Sequence, residues 1–292
     1  MLRLVLPKGS LERATLDLFA AADLGVLRSS DVDYRARIAD PRIAEVRILR
    51  PQEIPDYVAS GLFDLGITGR DWVEERGAEV MSLGELEYSK ATTDPIRVVL
   101  AVAEDSPYQT LSDLVGHKVR VSTEYPELTT KVLSAHGVEA VVSLSYGATE
   151  AKIPDIADCV VEITETGRAL RAAHLRVIDT LLVSYTELIA NPTAAADPTK
   201  RHAMDQILTL LQGTLEARQK VLVKLNIPAD RLDAVIALLP SLRSPTVSEL
   251  SGASGYAVET VVPKSDINTL IPELKDQGAT DILELALSKI IH

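Results

Sequence analysis

The sequence predicts an α/β protein of two lobes followed by a third, ferredoxin-like domain. Three observations carry that expectation. Short apolar runs alternate with amphipathic helical patterns, glycine-bearing turns close most of these elements, and the segment after residue 200 changes to a βαββαβ order.

Residues 2–6 form an apolar run broken only by Arg3. Pro7-Lys8-Gly9-Ser10 follows, and then Leu11, Ala14, Thr15, Leu18 and Phe19 recur at helical spacing. Residues 44–49 read as a strand, 55–60 as a helix closed by Gly61, and 64–69 as a buried strand, with a further helix starting near Asp71. A second alternation begins at about residue 95. Its strands are expected at 96–102, 118–122, 138–144 and 159–163. Its helices are expected at 111–114, 126–136 and 153–157 and from Arg168 to about 173. Residues 181–190 read as a return strand into the first unit. The expected domains are therefore 1–94 plus 179–200, 95–178, and 201–292. Two lobes joined by two crossings imply a cleft between them, as in periplasmic-binding-protein-like folds.

Residues 191–200 (NPTAAADPTK) have the composition of a linker, and a long helix is expected over 202–218. Strands at 221–225, 246–250, 256–262 and 281–287, with helices at 229–239 and 265–277, complete a split-βαβ (ACT-like) unit.

Composition narrows the function. The length suits two or three domains, and 46% hydrophobic with 25% charged residues is ordinary globular composition. Thirty Lys+Arg against 42 Asp+Glu give a net charge of −12, which argues against a broad nucleic-acid-binding face. One Trp and two Phe offer no stacking platform for single strands. A single cysteine excludes an intramolecular disulfide and a cysteine-based zinc site. Cys159 reads as a small core hydrophobe. His117, His136, His174, His202 and His292 lack metal-ligand spacing. Residues 1–6 are too short for a signal peptide, and no apolar run approaches the ~20 residues of a membrane span. A soluble, cytoplasmic protein is expected.

Three strand-end turns are candidates for chemistry. At Val161-Glu162-Ile163-Thr164-Glu165-Thr166-Gly167-Arg168-Ala169-Leu170 an apolar strand runs through a hydroxyl- and glycine-bearing turn into a helix. Either Thr164 or Thr166 simply caps that helix, or the turn cradles an anion. Glu162 and Glu165 would repel phosphate but can hold ribose hydroxyls or Mg²⁺. Lys8 and Gly9 follow the first strand, where ligands bind in open α/β sheets, although an exposed lysine in a tight turn fits equally well. Gly66-Ile67-Thr68-Gly69-Arg70-Asp71 repeats the pattern, or is a turn before an Asp-started helix. Trp72 reads as lobe packing rather than a base stack, while Tyr88 and Tyr125 are left open as cleft neighbours.

Together, LPKGSL at 6–11, LRPQEIPDYVASGLFDLGITGRD at 49–71 and GATEAKIPDIADCVVEITETGRALRAAHL at 147–175 strongly resemble ATP phosphoribosyltransferase, and the third domain resembles the long, feedback-regulated form. The resemblance covers essentially the whole chain. It implies the first step of histidine biosynthesis, in which ATP and phosphoribosyl pyrophosphate give N1-(5-phosphoribosyl)-ATP and pyrophosphate with Mg²⁺. It also implies dimers assembling into hexamers. Residues 162–170, with Thr164, Glu165, Thr166, Gly167, Arg168, Ala169 and Leu170, match the 5-phosphate segment. Lys8 and Gly9 match the lysine-glycine pair at the ATP and pyrophosphate end. Gly69 and Asp71 belong to the GITGRD turn, and Asp71 and Glu150 match positions facing the cleft. Glu162 stands where the family usually has Asp, Ala169 replaces a Thr, Ser10 replaces an Arg, and Ala173-His174 replaces Asn-Gly. The resemblance leaves open which residues hold the metal.

This chemistry needs no general base, because adenine N1 already carries a free lone pair. Positioning and electrostatics must do the work. Lys8, Glu150 and Glu162 are the expected catalytic groups, and a carboxylate suits an oxocarbenium-like state. Positive charge must be concentrated locally, and Lys8, Arg13, Arg50 and Arg70 are the candidates, each of which also reads as a solvated surface charge. The competing class is a two-lobed binding module without catalysis. In the third domain the resemblance implies a histidine site between neighbouring chains at or beside Asn226, Leu242, Thr246, Val261 and Asp281, with Asn226 where relatives can carry an acid.

Overall fold

The computed structural model describes residues 1–30, 32–88, 95–240, 244–252 and 254–292. The chain divides into a unit over Met1–Leu208 and a second over Thr209–His292.

The first unit contains two sheets. The elements of the first are β1 (Leu2–Pro7), α1 (Glu12–Ala21), β2 (Val26–Leu27), β3 (Arg35–Ile38), β4 (Ile43–Leu49), α2 (Ile54–Ala59), β5 (Leu65–Gly69), α3 (Arg70–Arg76) and β6 (Met81–Leu86). The second is built from β7 (Ile96–Ala103), β8 (Lys118–Thr123), α4 (Pro126–Ala135), β9 (Glu139–Leu144), β10 (Cys159–Thr164), α5 (Arg168–Ala172) and β11 (Leu175–Ser184). β12 (Thr186–Ala190) then re-enters the first sheet, followed by α6 (Pro192–Ala196) and α7 (Pro198–Arg218). Among the described residues the strand orders are β2-β3-β4-β1-β5-β12-β6 and β11-β7-β10-β8-β9. β4, β1 and β5 run parallel, as do β10, β8 and β9, whereas β12 is antiparallel to β5. Strand ends therefore converge where the two sheets exchange the chain.

Burial of β5 and β12 throughout, and of β1 everywhere but Arg3, explains why these strands are largely apolar rather than alternating. Close packing also fixes Gly66, since a Cβ there would stand 2.8 Å from Val58 Cγ2 and 2.9 Å from Ile54 Cγ2 on α2. The second lobe has its own core, in which Val98, Leu100, Val121, Leu128 and Val161 meet, with Trp72 packed against it.

Several expectations shift. Residues 179–184 remain in the second sheet, with Ser184 paired to Ile96, so the return crossing falls at Tyr185 rather than 179. The compositional linker at 191–200 is helical. Asn191 Oδ1 accepts the Ala194 N–H at 2.9 Å, and Pro192 opens α6, a position where proline's fixed φ suits a helix. No helix forms over 153–157. A short 3₁₀ turn covers Thr149–Lys152, and Ile153 is extended (φ −89°, ψ 140°) because it precedes Pro154. β2, β3 and β6 lie outside the expected strands: β2 is two residues long, β3 alternates but over only four residues, and β6 is mostly exposed and lacks alternation.

The second unit comprises the end of α7, β13 (Lys220–Ile227), α8 (Leu232–Leu238), β14 (Thr246–Glu249), β15 (Tyr256–Pro263), α9 (Ile267–Asp276) and β16 (Thr280–Ala286). Its sheet order is β14-β15-β13-β16, wholly antiparallel, which is the ferredoxin-like arrangement. Val221, Val223, Leu225 and Ile227 alternate inward against Leu270 and Leu274 of α9. Among the described residues no helix is long and apolar enough to cross a membrane.

Candidate active site

A cleft of about 750 Å³ opens in the first unit where strand ends of both sheets meet. The turn after β1 contributes Ser10 and Leu11, the β4–α2 connection Pro51 and Gln52, and the start of α3 Gly69, Asp71 and Trp72. From the second lobe come Glu124 and Tyr125 after β8, and Thr164, Glu165, Thr166, Arg168 and Ala169 around the β10–α5 turn. Tyr88, Ser184 and Tyr185 border the crossings.

Asp71 is the most constrained group in the cleft. Ser184 Oγ donates to Asp71 Oδ1 at 2.6 Å and Tyr125 Oη donates to Oδ2 at 2.8 Å, while the Asp71 N–H donates to Ser184 Oγ at 2.9 Å. Burial pushes the Asp71 carboxyl above the ordinary range despite these bonds. The Tyr125 hydroxyl is driven up by burial and then by the charge of Asp71. Thr68 is committed elsewhere, its hydroxyl donating to Pro51 O at 2.9 Å.

The β10–α5 turn closes on itself. Gly167 holds φ +72°, and its N–H donates to Thr164 Oγ1 at 2.7 Å. Thr164 is thus engaged inside the turn without capping the helix, since Gly167 is itself the N-cap of α5 and receives no side-chain cap bond, while Thr166 is exposed and lines the cleft. Arg171 donates to Thr166 O at 3.0 Å. Gly167 and Leu170 are buried and do not line the cavity; Leu170 packs with Val99 and Val160.

The acids lie close behind. Burial raises the Glu162 carboxyl, Thr149 hydrogen-bonds it in the opposing sense, and the charges of Glu124 and Glu150 raise it further. Neither Glu162 nor Glu150 lines the cavity itself. Among the described residues no group of three or more His, Cys, Asp and Glu is arranged to hold a metal ion.

The predicted cations are dispersed. Arg168 lines the cleft. Lys8 Nζ stands 4.1 Å from the centre of the Tyr34 ring, and its N–H donates to Leu49 O. Gly9 (φ +91°) lies near Arg50, whose Nη1 would be 3.8 Å from an added Cβ; neither is part of the cavity wall. Arg70 pairs with Glu74 at 2.6 Å and faces Glu187 at 3.8 Å. Arg13 is not brought to the cleft. Its side chain is 94% exposed and pairs with Asp17 at 3.8 Å, on the outer face of α1.

Sequence reasoning missed Ser184, for which no local motif exists, and the role of Tyr125, whose place after a parallel strand was the available signal. Trp72 stacks on Tyr125 with ring centres 4.5 Å apart and also lines the cavity.

In the second unit Asn226 Nδ2 donates to Asp281 Oδ2 at 2.9 Å. Thr246 pairs with Glu259 on β15, and Val261 with Leu222 on β13. By strand alternation Asn226, Thr246 and Val261 share the sheet face away from the buried core. Leu242 lies outside the described residues.

Fold and cleft together define a two-lobed α/β enzyme with a separate ferredoxin-like domain. The family model for ATP phosphoribosyltransferase matches residues 50–213, and that for its C-terminal domain matches 217–289. An ATP phosphoribosyltransferase of Pelotomaculum thermopropionicum is 46% identical over 290 residues, covering 99% of each chain. One from Chlorobium phaeovibrioides is 44% identical over 291 residues, covering all of this chain and 98% of the relative. Among solved structures, the ATP phosphoribosyl transferase (HisG:HisZ) complex from Thermotoga maritima matches with a TM-score of 0.63 at 25% identity, over 74% of this chain and 99% of that one. The chain belongs to the ATP phosphoribosyltransferase family, in its long form, and is a pentosyltransferase of histidine biosynthesis.

Proposed function

We propose that this chain joins adenine N1 of ATP to C1 of phosphoribosyl pyrophosphate, releasing pyrophosphate, and that histidine inhibits it. The observation that carries the reading is the meeting of the GITGRD turn and the TETGRAL turn in one cleft. The N1 lone pair forms the new bond to C1 while the C1–O bond to pyrophosphate breaks, its electron pair leaving with pyrophosphate. No residue need remove a proton to make the nucleophile, so the protein's task is to hold two substrates in line. Thr166, Arg168 and backbone of the β10–α5 turn bind the 5-phosphate. Glu162, with Glu150, places negative charge behind the site where positive charge develops at C1. Lys8, Gly9 and Arg50 receive the polyphosphate end, and Asp71 fixes the wall on which the base rests.

The donor set fits a substrate-borne Mg²⁺, which takes one or two carboxylates plus phosphate oxygens rather than an all-protein cage. Glu165 in the cleft and Glu162 behind it are the acids that would share it, and bound there it offsets the charge of pyrophosphate. Asn226, Thr246, Val261 and Asp281 line the histidine site between neighbouring chains, in dimers that assemble into hexamers in the cytoplasm. Inhibition requires histidine to prefer one quaternary state.

A pyrophosphate-release assay with ATP, phosphoribosyl pyrophosphate and Mg²⁺, with and without histidine, tests this. Turnover that falls with histidine is expected. A chain stabilised by one ligand that releases no pyrophosphate is a binding module, and the reading fails.

A further inference from the structure

Helix α4 begins with no cap of its own. Tyr125 at the N-cap makes no side-chain cap hydrogen bond, and Pro126 follows it. The first turn of a helix leaves backbone N–H groups without intrahelical acceptors. Pro126 has no N–H, Thr123 Oγ1 accepts that of Tyr125, and the next two are met from the other lobe. The Leu128 N–H donates to Glu75 Oε2 at 2.9 Å, and the Glu127 N–H points at Oε1 at 3.2 Å. Glu75 lies on α3 and is 7% exposed. One buried carboxylate therefore uses both oxygens on the opposite lobe's helix, at the end where the helix dipole favours negative charge.

The surrounding contacts of α3 run in the same direction. Trp72 packs on the second lobe's core and stacks on Tyr125, and the Tyr125 hydroxyl donates to Asp71. Lys131 also approaches Glu74 at 3.4 Å, but that pair is exposed and weak. Asp71, Trp72 and Tyr125 line the cleft, whereas Glu75 does not. Its bonds join the lobes without touching the space a substrate would occupy.

We infer that Glu75 is a positioning residue: it latches α3 to the start of α4 and so sets the separation of the cleft walls before any substrate arrives. The kinetic part rests on the phosphoribosyl-transfer reading; the latch itself does not. A ligand that must touch both walls binds only the correctly spaced fraction of molecules, and its apparent affinity falls by that fraction when the latch is broken. Chemistry after binding is unaltered.

The chain's single tryptophan is Trp72, at the contact in question, so its emission reports lobe separation directly. Glu75→Ala removes both acceptors. Glu75→Gln keeps the shape but turns an NH₂ towards one helix N–H, and it serves should the alanine variant not fold. In the ligand-free full-length chain, either variant is expected to red-shift Trp72 emission and to speed hydrogen exchange over residues 124–130. KM for both substrates should rise roughly fivefold or more with kcat within about twofold. Unchanged emission and exchange overturn the latch, as does a fall in kcat at constant KM, which reports only lost folded enzyme. If the unaltered chain releases no pyrophosphate, the transfer reading fails, and emission and exchange alone decide the latch.

Discussion

Gly69 leaves the space that the Asp71 carboxylate occupies: a Cβ on Gly69 would fall on Asp71 Oδ1 and stand 3.5 Å from Ser184 Oγ. Backbone φ at Gly69 is an ordinary −80°, so the requirement is steric and not conformational. The glycine of the turn and the acid two residues on act as one device. It folds a carboxylate back to meet Ser184 and Tyr125.

Gly69→Ala should therefore mimic loss of Asp71. Displacing a buried, doubly hydrogen-bonded carboxylate costs on the order of 2–3 kcal/mol, and the cleft wall moves with it. The check is a double-mutant cycle: Gly69→Ala on an Asp71→Ala background should add little to the loss of stability or of kcat/KM. Fully additive effects would sink the coupling.

The β10–α5 turn makes a second prediction. Gly167 at φ +72° donates to Thr164 Oγ1, and an added Cβ would meet the flexible end of Arg171 at 2.7 Å. Strain at such a φ is about 1–3 kcal/mol for a residue with a side chain. Gly167→Val should cut pyrophosphate release by roughly a hundredfold through misplacement of the turn, while ATP binding by calorimetry stays intact. An unchanged rate would remove this turn from the phosphate site.

What the sequence made legible, and what it hid, divides by range. β1, β5 and β10 were readable because strands that are mostly buried leave mostly apolar runs, broken by Arg3 in β1 and by Glu162 in β10, and the three turns because glycine and hydroxyl residues follow strand ends. Ser184 was invisible, since its value comes from a partner 113 positions away. Glu75 carries no sequence signal, because only the second lobe reveals what its carboxylate meets. The helix at 191–200 was hidden by composition: Pro192 and Pro198 signal breaks inside elements but begin helices when they stand in the first turn.

The acids predict a pH profile. Burial, then the charges of Glu124 and Glu150, hold the Glu162 carboxyl above its ordinary 4.5, partly offset by Thr149. If its ionised form stabilises positive charge at C1, the acid limb of kcat/KM lies above 4.5. Glu150→Gln removes one like charge and should move that limb to lower pH. A limb that moves up or stays put counts against the arrangement.

Asp64 titrates in the opposite sense. Burial would raise it, but Arg3, through side chain and backbone N–H, and Lys200 Nζ at 2.9 Å hold it at about 2. A depressed carboxyl contributes stability that is complete above its unfolded value of 3.8 and lost as pH falls through about 2. The contribution is about 2 kcal/mol. Urea denaturation across that window should show a loss of midpoint that Asp64→Asn flattens; an equally steep loss in the variant would place the acid sensitivity elsewhere.

The Lys200–Asp64 pair decides where the C-terminal domain can be cut. A chain ending before Lys200 loses one of the two cationic partners of Asp64 together with Met204 and Ile207, both fully buried, so it should be unstable for reasons unrelated to histidine. A chain ending at Leu208, the limit of the first unit, keeps them. It should retain phosphoribosyl transfer, change its oligomeric state and escape histidine. Asn226→Leu in the full chain gives the finer test. It removes the donor to Asp281 Oδ2 at 2.9 Å and leaves the first unit's residues untouched. A hydrogen bond involving a charged group is worth about 1.5–3 kcal/mol, so half-inhibition should need roughly tenfold more histidine or beyond. Basal turnover should not change, because Asn226 lies outside the unit that holds the cleft. Histidine that inhibits the shortened chain and the Asn226 variant as strongly as the original would place the effector in the first unit.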